Sequence, residues 1–97
     1  MTPVDVLREF AGTLVSWEVH ETPSACHLVE IDKEGAHIVQ ASLQTKGGRF
    51  PALLVFQQLN IPDVMARDEE AFQTQLKGLL RLGAFRSLVR QPANQEK

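Results

Sequence analysis

Ninety-seven residues, 43% of them hydrophobic and 23% charged, suit one globular domain with a single core and leave no room for a second. With one cysteine, Cys26, an internal disulfide and every multi-cysteine zinc pattern are excluded. The longest apolar run, residues 50–56, is far below the ~20 residues of a membrane helix, and no cationic and apolar leader opens the chain, so a cytoplasmic location is expected.

In chain order, Thr2 followed by Pro3 reads as an N-cap and a first helical position, with Asp5 and Glu9 near the helix start. Leu7, Phe10, Ala11 and Leu14 fall at helical spacing; Gly12 is the expected stop, and a helix reaching Trp17 is the alternative. Residues 13–20 then alternate, with Val15, Trp17 and Val19 on one side and Ser16, Glu18 and His20 on the other, as a strand does. Residues 21–24 carry turn chemistry, and residues 25–32 alternate again.

The tripeptide 33–35, ending in Gly35, suits a hairpin loop that pairs Ile31 with His37 and Val29 with Val39. Gly47 and Gly48 mark a second hairpin, which would set Leu43 opposite Ala52 and Ala41 opposite Leu54. The turn favours a strand over residues 51–59, where the Ala and Leu content after Pro51 leaves a helix as the alternative. The predicted core face therefore gathers Val15, Trp17, Val19, Val29, Ile31, Val39, Ala41, Leu43, Leu54 and Phe56. A longer helix follows, capped by Asp63 or Asp68, with Phe72, Leu76, Leu79, Leu80 and Leu82 as its apolar stripe and Gly83 as its stop. Residues 84–90 read as a short strand or a last helical turn.

The fold class is thus α+β: an antiparallel four-stranded meander with a short N-terminal helix and a longer C-terminal helix packed on the sheet. Residues 1–90 form the domain and 91–97 a flexible tail.

Little in this arrangement carries catalytic chemistry. His27 and His37 are expected on the core side, His20 and Cys26 on the other, so neither a metal centre nor a Cys-His pair assembles, and no catalytic, metal or cofactor-binding residues are assigned. There is no phosphate loop or nucleophile elbow. The order helix, strands, helix resembles double-stranded RNA-binding domains in topology only, since residues 45–52 hold just Lys46 and Arg49 and residues 1–34 hold seven acids against two bases.

What stands out is a second sheet face mixing Leu14, Leu28, Ile38, Leu53 and Val55 with Ser16, Glu18, Gln40 and Ser42, too apolar for open water. The expected function is therefore a small non-catalytic interaction or adaptor module, acting as a homodimer or as an accessory subunit of a larger protein. Leu28, Ile38, Leu53 and Val55 are its expected apolar contacts, with Arg86 and Arg90 as a charged rim. One alternative is a weak nucleic-acid binder using Lys77, Arg81, Arg86 and Arg90; another is a small ligand-binding protein or enzyme with a pocket near Trp17, His27 and His37.

Overall fold

Thr2 starts the first helix by a reciprocal cap: the Asp5 N–H donates to its hydroxyl at 3.2 Å, and its own N–H donates to the Asp5 carboxylate at 3.0 Å. That backbone donor holds the Asp5 carboxyl below the usual carboxylate range. In the computed structural model, which describes residues 1–90, this helix α1 (Pro3–Gly12) leads into β1 (Trp17–Thr22), β2 (Ala25–Ile31), β3 (His37–Lys46), β4 (Arg49–Phe56) and β5 (Val64–Ala66). Helices α2 (Glu69–Leu79) and α3 (Gly83–Arg86) follow. The expected tail 91–97 lies outside the described residues.

The α+β class holds, with one strand more than expected: the five strands form an antiparallel meander in sequence order. The added β5 is only three residues long and pairs Ala66 with Ala52 and Val64 with Leu54 at the sheet edge. Asp68 caps α2, accepting from the Ala71 N–H at 2.8 Å. Gly12 does end α1; residues 13–16 turn before β1, with Ser16 at φ 66° and Val15 exposed, so the expected strand over 13–20 begins at Trp17 instead. Residues 84–90 supply both expected shapes, α3 and then a single bridge between Val89 and Leu14.

The 33–35 turn sets the predicted register, Ile31 to His37 and Val29 to Val39. Asp32 locks it, its carboxylate accepting from the Glu34 and Ala36 N–H groups at 2.9 and 2.8 Å. Beyond Val29 the ladder slips, because Leu28 pairs with Ala41 and leaves Gln40 as an extra residue in β3. Since successive strand residues face opposite ways, one inserted residue reverses every side chain on one side of it. Val29, Ile31 and Val39 therefore lie opposite to Ala41 and Leu43, correcting the predicted core face, and Trp17 and Val39 point to opposite sides. A second irregularity at Thr45 and Lys46 shifts the next pairing by two, so that Leu43 meets Leu54 and Thr45 meets Ala52, which preserves the face. Phe50 and Pro51 fall in that irregularity, where Pro costs no ladder hydrogen bond, and Phe50 packs edge-on to Phe72 at 6.0 Å between ring centres.

One face of the sheet carries the core. Trp17, Cys26, Leu28, Ala41, Leu43, Ala52, Leu54, Phe56, Val64 and Ala66 pack there against Val6, Leu7 and Phe10 of α1, Phe72, Leu76 and Leu79 of α2, and Phe85 of α3. Phe85 is fully buried and is the hub, its ring centre 5.7 Å from Phe10, 5.6 Å from Trp17 and 6.0 Å from Phe56. Burial of each such side chain stabilises the fold by roughly 1.5–3 kcal/mol. Of the predicted α2 stripe, Leu82 is exposed, because the helix ends at Leu79 and the chain turns before reaching it.

Candidate functional site: the open sheet face

Among the described residues, no helix lies on the reverse side of the sheet. Alternation places Glu18 and His20 of β1, His27, Val29 and Ile31 of β2, His37, Val39 and Ser42 of β3, and Leu53 and Val55 of β4 on this face. Met65 of β5 pairs with Leu53 and is 61% exposed. Ile31, Val39, Leu53 and Val55 are half-buried by strand neighbours alone and take no part in the core cluster. These apolar side chains are spread across β2 to β5, with Gln44 opposite Leu53 and Ser42, which accepts from the Gln57 amide at 2.7 Å, opposite Val55.

Val29 is an exception on this face, because it is 3% exposed although no helix lies over it. Its cross-strand partners are Glu18 and Val39, and the rings of His20 and His37 meet nearby with centres 5.1 Å apart. Glu18 Oε1 is 2.9 Å from His20 Nε2, tying the ring back along β1. His27 sits directly across from His20. All three histidines thus share the open face, which corrects the expected division of His27 and His37 from His20. The β1–β2 pairing puts His20 beside His27, and both lie opposite to Ala41 because of the extra residue Gln40, whose Nε2 donates to Glu30 at 2.7 Å while its backbone carbonyl accepts from Gln57. Among the described residues, no three His, Cys, Asp or Glu side chains stand together as a metal centre.

The predicted contact residues divide. Leu53 and Val55 do lie on the open face. Leu28 does not: it is fully buried under the helices, on the same side as Ala41. Ile38 pairs with Glu30, which pairs with Trp17, so it lies at the sheet end on the Trp17 side. Arg86 and Arg90 belong to the C-terminal segment on the helical side. Arg90 clamps the junction between α1 and β1, its Nε donating to the Leu14 carbonyl at 3.1 Å, and Arg86 donates to the Arg81 carbonyl. Ile31, Val39 and Met65 were missed as contacts; the alternation in β2 held the signal for Ile31, and the bulge hid it for Val39.

The pocket expected near Trp17, His27 and His37 is not formed, because Trp17 packs on Phe85 while both histidines occupy the opposite face. Trp17 Nε1 is buried and has no hydrogen-bond partner among the described residues. Burial pushes the Cys26 thiol up from its ordinary value, with Glu21 adding to the effect, so the group is poorly suited to act as a nucleophile. On the helical side, α1 and α2 leave a groove of about 220 Å³ lined by Val6, Phe10, Leu76 and Leu80, with Glu9 and Lys77 at its rim. No helix is long and apolar enough to cross a membrane among the described residues. No family model, curated protein or solved structure matches this chain.

Proposed function

We propose that this chain is a non-catalytic protein-protein interaction module that works as a homodimer, two copies meeting through their open sheet faces. The observation that carries the reading is the set of Ile31, Val39, Leu53, Val55 and Met65, apolar side chains on a face that no helix covers among the described residues. A sheet whose second face is apolar is stabilised when another layer takes the side chains out of water, and a second copy supplies a self-complementary layer. Each Å² of apolar surface covered contributes roughly 25 cal/mol, which offsets the entropy lost on docking. The free thiol of Cys26 accords with a cytoplasmic location, which we include in the reading.

Light scattering on a size-exclusion column tests it. The expected mass is twice the 10.8 kDa of the chain at micromolar concentration and above. A monomer mass at the highest attainable concentration removes the homodimer.

A further inference from the structure

We propose that His20 and His37 form a two-imidazole site for a borderline divalent transition metal such as zinc, with Glu18 as the positioning carboxylate behind His20. Three independent features point there. The first is spacing. With Zn–N bonds of about 2.0–2.1 Å and each ring centre roughly 1.1 Å behind its nitrogen, two imidazoles in a tetrahedral shell hold their centres about 5 Å apart. The His20 and His37 rings stand at 5.1 Å in an edge contact, with their planes 73° apart.

The second is the carboxylate. Metal-bound imidazoles commonly donate their other ring N–H to a carboxylate, which fixes the tautomer and strengthens the ligand. Glu18 Oε1 lies 2.9 Å from His20 Nε2. An ionised carboxylate there keeps the proton on Nε2 and leaves the Nδ1 lone pair of His20 for the metal. The third is support. Both residues lie on paired strands that flank β2 near Val29, 3% exposed, and the ring of His37 makes no hydrogen bond among the described residues, which leaves its nitrogens for a ligand.

Two protein nitrogens make a half-filled shell that solvent would have to complete, since among the described residues no third His, Cys, Asp or Glu joins them. Imidazole ligands select zinc, copper or nickel over magnesium and calcium, whose shells are built from oxygen. The site needs no second chain. Zinc binding by a monomer would leave it standing while removing the homodimer, and a metal-free dimer that ignores zinc would do the reverse.

Isothermal titration of the full chain with zinc chloride at neutral pH, followed by the same titration with magnesium chloride, tests the site. One zinc per chain in the micromolar range is expected, with no response to magnesium. Both H20A and H37A should abolish saturable zinc binding, whereas E18Q should weaken it by about tenfold. In nitrogen-15 spectra of the His20 ring, zinc should perturb Nδ1 as the unprotonated position. All three side chains are surface groups, so the variants should melt within a few degrees of the parent chain. Three results would overturn the site: no saturable zinc binding by the parent chain, undiminished binding by H20A or H37A, or loss on His27→Ala in place of His37→Ala. Perturbation at Nε2 would overturn the role given to Glu18.

Discussion

The two faces of one sheet are built from the same five strands and the same alternation, yet they end in different environments. On the helical side, Ala41, Leu43, Ala52, Leu54, Val64 and Ala66 are all buried, and Phe85 closes the end by packing on Trp17, Phe56 and Phe10. On the open side, Ile31, Val39, Leu53 and Val55 remain half-exposed and Met65 reaches water. A strand cannot make one side apolar without choosing what its other side meets. Here the second side mixes Ile31, Val39, Leu53, Val55 and Met65 with polar residues, and among the described residues no helix covers it.

Substitution on each side should separate these roles. Phe85→Ala empties a fully buried position touched by three other rings and should cost about 3–5 kcal/mol in urea unfolding. Val55→Ala, on the open face, should cost a monomer under about 1 kcal/mol, since strand neighbours alone cover that side chain. If the two losses are equal, the faces are not energetically distinct. Replacing Leu53 and Val55 together by Glu should leave the circular dichroism spectrum unchanged and reduce the light-scattering mass to that of one chain. A variant pair that stays dimeric would move the interface elsewhere.

Smaller effects should come from the helix starts, which serve only the covered face. Thr2→Ala and Asp68→Ala each remove a cap bond and should lower stability by about 1 kcal/mol without changing the mass. The weakest expected effect concerns Cys26. Its folded-state pKa is raised by burial, so above the ordinary thiol range the unfolded chain loses a proton that the folded chain keeps. Stability should therefore fall as pH rises through that window, and less steeply for Cys26→Ala. Equal slopes for both chains in denaturant melts would show that the thiol is not protected.

Much of this was legible in the sequence because local chemistry wrote it. Thr2 and Pro3 marked the first helix, Asp68 the second, and the turn at 33–35 set the pairing of Ile31 with His37 and Val29 with Val39. The faces were harder. Gln40 is a single extra residue in an otherwise regular alternation, and nothing in its type distinguishes a bulge from a paired position. That one insertion set Val29, Val39, His27 and His37 opposite to Ala41 and Leu43 and put Leu28 on the core side with them, while the β1–β2 pairing brought Val19 to Leu28 and His20 to His27. β5 escaped because three residues are too few to show alternation, and the part played by Phe85 escaped because its helix has a single turn. Leu53 and Val55 were found because the register error between β3 and β4 was an even number of residues, which leaves the face intact.

The most direct test of the open face as the interface is an isotope-filtered NMR experiment on a mixture of labelled and unlabelled chains. Intermolecular contacts are predicted at the methyl groups of Ile31, Val39, Leu53, Val55 and Met65 and nowhere on the helical side. Contacts confined to Val6, Leu76 and Leu80 in the groove between α1 and α2, or none at all at millimolar concentration, would contradict it.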